Sequence, residues 1–518
     1  MKRNFLLFGT IIISIFVISL TACPPGNDNI LTYALLDAAI DSANAAKTNV
    51  LISTDGSELT NLKIWVTQQQ MDALNAAIAN AVTAKAQSTT QAQVDDAVST
   101  LNSMVTIFNA AKQPGAIQVV IRWSFWGSQP RIDNAQSAIN LFTERTGIIV
   151  NVETQGVTEH FQKFMTELAA GNAADVIQLG GHFRTLEIND NGTNAPGVEN
   201  YMLPLTQFVN SGIIDTSQLD DLAIQAGTRD GILYALPLGI NMPAIIYNKS
   251  ALERVGVPLP NTSMTWEGFE EWMGIVKPLL PADTWVLTDC SIVPSSFMFF
   301  SYWAGVNNTP LYNGTNTQLT AEEVQKYFEL WNGWRSAGYV PSAAISTGYS
   351  ETDEAALVAG KTIATINWSN SLSYYQTLIS DELGLIELPN AAVNQGLWTQ
   401  VNQMIGISAG SANGEAAAMF INFRAINPDA WAITGADPGF PSTSAARDAI
   451  ATDPVSQKIV EYISTAVNHT SPVGPIIPNE SEFNSVLRTI AQKAASGEIT
   501  AAQAGQEVMA LINEHIGN

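Results

Sequence analysis

Between residues 117 and 180 the sequence switches its apolar period four times, and this alternation restricts the fold more than any other feature. "IQVVIRW" (117–123), "GIIVNVE" (147–153) and "ADVIQLG" (174–180) are short apolar runs of strand length. Between them, the stretch from Ile132 to Arg145 sets Ile139 and Phe142 on one helical face. The stretch from Thr158 to Ala170 does the same with Phe161, Phe164, Met165 and Leu168. Strand, helix, strand, helix, strand predicts a parallel sheet with right-handed crossovers. The short connections fit that unit. A doubly wound α/β domain therefore begins near residue 117.

Further along stands "YALPLGINMPAIIYNK" (234–249), apolar yet broken by Gly239, Asn241 and two prolines. It is too short and too polar to cross a membrane. Two strands buried on both faces explain its apolar bias, with an interruption where the backbone bends. Beyond it, Thr265 is placed to cap a helix over "WEGFEEWMGIVKPL". Further helices are expected at 320–336, 351–359, 372–380, 413–426, 444–450, 453–468, 480–495 and 500–514. Short strands at 362–366, 384–388 and 402–408 complete a second α/β lobe whose chain returns to the first.

Residues 31–112 read differently. Val94, Val98, Leu101, Val105 and Phe108 mark one helical face, Met71, Leu74, Ile78 and Val82 a second. A third helix runs from about Leu31 to Asn49. Thr67 and Thr89 or Thr90 are placed as N-caps. None of these faces can be buried alone, so a small all-α three-helix bundle is expected, followed by a linker at 113–116. "WVTQQQMDALNAAIANAVTAKAQSTTQAQVDDAVSTLNSMVTIF" resembles the FIVAR-type three-helix module of bacterial surface proteins. That resemblance implies a spacer or a contact with extracellular polymers, and the spacer is favoured because no cluster of exposed aromatics is present.

The first residues carry an address. Lys2 and Arg3 precede an uncharged run and then Leu20-Thr21-Ala22-Cys23. A basic start, an apolar centre and small residues before a cut site make a secretory signal. It resembles a bacterial lipoprotein signal over 1–22, with Cys23 as the lipidated residue and 23–30 as a tether. Acyl chains on Cys23 imply attachment to a membrane without a spanning helix. Cys290 then has no partner within the chain, and a buried, inert thiol is expected.

Charge narrows the function. The 518 residues carry a formal net charge of −24 with only 14% charged residues, which argues against a nucleic-acid partner. The four histidines lack metal-ligand spacing, and there is no phosphate loop or nucleophile elbow. Neither a metal nor a cofactor is expected. Asp95-Asp96, Asp220-Asp221, Glu270-Glu271 and Glu322-Glu323 read as solvated helix faces rather than hydrolase pairs.

Tryptophan is the positive signal. Trp126 follows the first strand in "SFWGSQPR", Trp368 follows another in "ATINWSN", Trp398 lies in "NQGLWTQVNQ" and Trp303 in "SYWAGVNN". Each has Asn, Gln, Ser or Gly beside it. A flat apolar ring flanked by amides suits a sugar, whose C–H face stacks while its hydroxyls meet the amides. Each ring is equally a candidate for the core. Trp331, Trp334 and Trp431 lie within helices and are read as core.

Several landmarks over 117–515 resemble the carbohydrate-type extracellular solute-binding proteins of ABC importers. They are "LAAGNAADVIQL" (168–179), "GILYALPLGINMPAIIYNKSALERVGVPLPNTSMTWEGFEEW" (231–272), "ALVAGKTIATINWSN" (356–370), "IGISAGSANGEAAAMFINF" (405–423), "GADPGFPST" (435–443) and "SGEITAAQAGQEVMALIN" (496–513). The resemblance implies a two-lobed periplasmic-binding-protein-like fold over 117–518. Lobe 1 is expected over about 117–240 plus a return segment, lobe 2 over about 248–435, and the hinge near 237–247 and 435–443. It implies capture of a small carbohydrate ligand, an oligosaccharide, by hinge closure and delivery to ABC permease subunits, with the protein a monomer and no catalysis. By the same resemblance, Trp126, Ser128, Gln129 and His182 belong to the ligand-facing loops of lobe 1. Asn241 belongs to the crossing, and Trp303, Trp368, Asn370 and Trp398 to lobe 2. Arg131 is read instead as a structural ion pair. A non-sugar solute (polyol, glycerophosphodiester or peptide), a surface polymer-binding or sensor receptor, and a secreted hydrolase stay open as alternatives.

Overall fold

The computed structural model describes residues 31–127, 129–180, 198–260, 264–306, 311, 317–390, 397–471, 477 and 480–516. The lipoprotein-like signal with Cys23, Ser128 and His182 lie outside the described residues. The chain forms two compact units that part between Ile117 and Gln118.

The first unit holds helices Ala34–Ala46, Gln68–Gln87 and Gln91–Ala111. Thr67 and Thr90 start the second and third helices, each with a complete capping box closed by Gln70 or Gln93. Each such cap stabilises its helix by about 1 kcal/mol. Leu36, Leu74, Val94, Leu101 and Phe108 meet in the core. Ala81 is buried where Val82 was expected, and Val82 is exposed. The unit is not purely helical. Strand β1 (Val50–Ile52) pairs in parallel with β2 (Ile64–Val66), and β3 (Gln113–Pro114) pairs antiparallel with β2. The expected linker is thus an edge strand, where a proline is tolerated. Trp65 fixes it by donating its indole N–H to the Pro114 carbonyl at 3.1 Å.

The second unit contains two α/β lobes. In lobe 1, β4 (Val120–Trp126) lies between β5 (Ile149–Gln155) and β6 (Val176–Gly180), all parallel and linked by helices Gln129–Thr146 and Val157–Ala169. The chain then makes a hairpin of β7 (Thr228–Arg229) and β8 (Ile232–Leu233) and enters β9 (Ala235–Asn241). One residue, Met242, separates β9 from β10 (Pro243–Asn248), and every residue of β9 is buried. Strands β11 (Trp285–Leu287), β12 (Thr362–Trp368) and β13 (Leu383–Ile386) join β10 in the four-stranded sheet of lobe 2, ordered β11-β12-β10-β13. Then β14 (Leu397–Trp398) pairs with β16 (Thr470–Ser471), and β15 (Gln400–Ile407) returns to lobe 1, whose sheet reads β5-β4-β6-β15-β9. Pro237 is accommodated because β9 is the edge of that sheet.

The span 248–435 expected for lobe 2 is therefore divided. β15 belongs to the lobe 1 sheet, and Pro454–Ala466, Glu480–Ser496 and Ala501–Ile516 add helices to the lobe 2 core. Helix Ser296–Val306 is absent from the sequence reading. Ten of its eleven residues are buried, so it shows no amphipathic stripe. It packs Phe299, Phe300 and Tyr302 near Tyr327, Trp331 and Trp334 of helix Ala321–Ser336, the centre of the lobe 2 core. Trp331, Trp334 and Trp431 are fully buried, and so is the unpaired Cys290.

Candidate functional site

The residues at the ends of the central strands and at the three passages between lobes define the candidate site. Along β4, alternation sends Trp123 and Phe125 to one face, where Trp123 meets Phe420 edge-on. Ser124 and Trp126 fall on the other. Trp126, the last residue of β4, is half-buried and sets its ring against His160 at 5.2 Å between centroids. Gln129 opens the following helix, exposed, with its amide on Asp133 at 2.8 Å.

Trp368 ends β12 as Trp126 ends β4. It is half-buried, lies opposite Pro243 in the register, and meets Trp398 edge-on at 6.1 Å and 83°. Trp398 is 4% exposed, and its indole N–H donates to Gln400 Oε1 at 3.0 Å. Gln400 is in turn the register partner of Asn241. The two lobe 2 tryptophans therefore stand where two crossing segments run side by side. Trp303, 7% exposed, is buried as well and packs between Phe300 and Tyr327.

The third passage runs through residues 435–443. Ile240 and Phe440 exchange backbone hydrogen bonds at 2.9 and 2.8 Å, which seals the free edge of β9. The approach is close enough that a Cβ on Gly239 would stand 2.5 Å from the Pro438 carbonyl. Gly439 has φ +130, and a Cβ there would stand 2.7 Å from Asn241 Oδ1. Asn241 itself is fully buried, with its amide N–H donated to the Pro438 carbonyl at 3.2 Å. It is a brace between passages, its side chain closed off from solvent.

Beside it, Asp437 gathers groups from both lobes. Arg131, in the first turn of the helix after β4, donates Nε to Asp437 Oδ2 at 2.6 Å and Nη2 to the Asp437 carbonyl at 2.9 Å. Asn370, just before helix Ser371–Leu378 of lobe 2, donates to the same carbonyl at 2.8 Å. Arg131 is the structural ion pair expected for it. A cavity of about 380 Å³ lies beside this tie, lined by Pro130, Asn134, Tyr374, Thr377, Asp437 and Asp453 among others. None of the tryptophans lines it.

The acidic pairs have local employment. Glu323 caps its helix, Glu270 accepts the Trp334 indole N–H, and Asp220 pairs with Arg447. Among the described residues no group of side chains could hold a metal ion, and no helix is long and apolar enough to cross a membrane. His160 and Asp437 carry no weight in the sequence reading. Signals exist for both: His160 lies one helical turn from Phe164 on the buried stripe, and Asp437 sits inside "GADPGFPST".

A family model described as a bacterial extracellular solute-binding protein matches residues 137–459, more than half of the chain. Solved structures resemble about three quarters of the chain. An extracellular solute-binding protein family 1 from Alicyclobacillus acidocaldarius is 23% identical, with 77% of this chain and 99% of that chain covered and a TM-score of 0.59. An ABC substrate-binding protein from Listeria monocytogenes, in complex with cycloalternan, is 19% identical, covering 77% and 99%, at a TM-score of 0.64. A periplasmic oligogalacturonide-binding protein from Yersinia enterocolitica, in complex with saturated digalacturonic acid, gives the same 19%, 77%, 99% and 0.64. At these identities the likeness is one of fold, two α/β lobes joined by crossing segments.

Proposed function

The chain belongs to the bacterial extracellular solute-binding protein family, and from that premise we propose that it captures an oligosaccharide between its two lobes. Family membership implies a place outside the cytoplasm and a binding rather than a catalytic role. The observation that carries the sugar reading is the matched position of Trp126 and Trp368, half-buried rings at the ends of β4 and β12. Rings held there, with Gln129 and Asn370 nearby, supply stacking faces and amides from both sides. Solved structures of the same fold were obtained with cycloalternan and with saturated digalacturonic acid.

In this reading Trp126, Gln129, Trp368 and Asn370 contact the ligand, as do Ser128 and His182, and the buried Trp398, Trp303 and Asn241 stand behind the contact surface. Ligand that touches both lobes favours the closed arrangement, and the closed form docks on ABC permease subunits. Lipid on Cys23 holds the monomer at the membrane, and the FIVAR-like module spaces the lobes from it.

Calorimetry of the chain lacking residues 1–23 against a panel of neutral and acidic oligosaccharides tests the proposal. A panel member binds, and Trp368→Ala weakens it at least tenfold, the order expected for a lost stacking face. Binding of peptides or phosphodiesters alone, or full affinity in the variant, refutes it. Radiolabelled palmitate incorporation that disappears in Cys23→Ala tests the anchor.

A further inference from the structure

Beneath Trp126 lies a buried histidine that the ligand-facing set does not include. We infer that His160 is a positioning residue for Trp126, a group that helps to hold this indole at one orientation at the end of β4. The inference rests on the proposed sugar site only in giving Trp126 a ligand to meet.

His160 lies on helix Val157–Ala169 and is fully buried. A buried imidazole without partners is costly, so its hydrogen bonds dictate its placement. Its Nε2 lies 2.8 Å from the Gln178 carbonyl, and a carbonyl only accepts, so Nε2 carries the proton. That leaves Nδ1 of the neutral ring to accept from the Ser124 hydroxyl, 3.2 Å away. Ser124 belongs to β4 and Gln178 to β6, neighbouring parallel strands. The ring is therefore clamped between two strands from above, and its tautomer is fixed by that clamp.

Ser124 and Trp126 are two residues apart on one strand and share a face. The clamp thus lies directly against the indole, whose plane is inclined 62° to the imidazole at a centroid distance of 5.2 Å. Edge-on aromatic contacts at this distance are directional, whereas aliphatic packing is not. An aliphatic residue at 160 fills space without fixing an angle. A stacking platform that wanders over several orientations loses affinity because the ligand must select one of them.

The test uses the chain labelled with 5-fluorotryptophan and observed by fluorine NMR, with the Trp126 signal assigned by its loss in Trp126→Phe. Wild type is expected to show one sharp Trp126 resonance. His160→Leu broadens or splits it, and His160→Gln, whose amide N–H still reaches the Gln178 carbonyl, restores it in part. Ser124→Ala, which removes the partner of Nδ1 together with a longer contact to Gln155 Oε1 at 3.5 Å, gives an intermediate spectrum and keeps the test open where His160→Leu fails to fold. Titration with maltotetraose follows: His160→Leu weakens it about tenfold, with His160→Gln between. A single sharp Trp126 signal in folded His160→Leu, or a glutamine variant no better than leucine, overturns the inference. Absence of any oligosaccharide binding by wild type removes the sugar reading and leaves the NMR result to decide on the clamp.

Discussion

Arg131 of lobe 1 and Asn370 of lobe 2 donate to one and the same carbonyl oxygen, that of Asp437, in the segment that passes between the lobes. One acceptor shared by two bodies couples their separation to a few atoms. Asn370→Ala keeps the fold and breaks the lobe 2 half of the tie. Small-angle scattering of the unliganded variant is expected to show a larger mean radius of gyration than wild type. An unchanged profile shows that the tie does not restrain the lobes.

Asp437 also matters for stability, because Arg131 is only 13% exposed at its side chain. Asp437→Ala strands a mostly buried guanidinium and is expected to cost about 2–4 kcal/mol in urea unfolding, within the range for breaking such a pair from one side. In a double-mutant cycle with Arg131→Met, most of that loss is recovered. A loss under about 0.5 kcal/mol would place the pair among exposed ion pairs of little worth.

Much of the architecture around this tie is legible in the sequence because it is locally encoded. β4, β5 and β6 alternate with helices whose apolar stripes are periodic, and Thr67, Thr90 and Thr265 announce their helices through their own hydroxyls. Helix Ser296–Val306 escapes for the opposite reason: an element buried on all sides has no period. The strands of the first unit escape because two or three residues give no period at all. The pairing of Asp437 is beyond reach by separation, since its partner Arg131 lies 306 residues away, and only its place in "GADPGFPST" marks the residue. Asn241 is legible as the polar break in the crossing, but its hydrogen bond to the Pro438 carbonyl is not, since that partner lies 197 residues on.

Gly439 is the position where that bracing tolerates least. Its φ of +130 disfavours any side chain, and a Cβ would stand 2.7 Å from both Asn241 Oδ1 and the Ile240 carbonyl. Gly171 also has positive φ, +68, but nothing lies within 4 Å of its Cβ position. Gly439→Ala is therefore expected to cost more than about 2 kcal/mol, and Gly171→Ala about 1 kcal/mol. Equal losses in chemical denaturation refute the close-approach argument.

Among the described residues, Arg424 is a charge without an ion-pair partner. It is 5% exposed, and neither Nε nor Nη1 has a hydrogen-bond partner there. Burial pushes its pKa down to about 10, against the attraction of Asp437. The Trp431 ring, 6.0 Å away, is its aromatic neighbour. Replacing such a group by an apolar side chain of similar length relieves desolvation, so Arg424→Met is expected to gain about 1–3 kcal/mol. A loss of stability in the variant shows that the guanidinium is engaged more strongly than its geometry indicates.

His160 gives the protein a pH dependence whose sign follows from burial. Desolvation lowers its pKa from the ordinary 6.5, and the charge of Lys163 adds to this against the opposing Gln178 carbonyl. As pH falls below 6.5 the unfolded chain takes up a proton at this position while the folded chain stays neutral. Its contribution to stability is complete above 6.5 and declines as pH falls towards the folded value, by at most about 1.4 kcal/mol per pH unit. His160→Gln cannot titrate, so the stability gap between wild type and variant is expected to narrow between about pH 7.5 and about pH 5. Urea unfolding of both proteins at the two pH values measures it. A constant gap shows that the imidazole titrates alike in the folded and unfolded chains, so that burial does not disfavour its protonation.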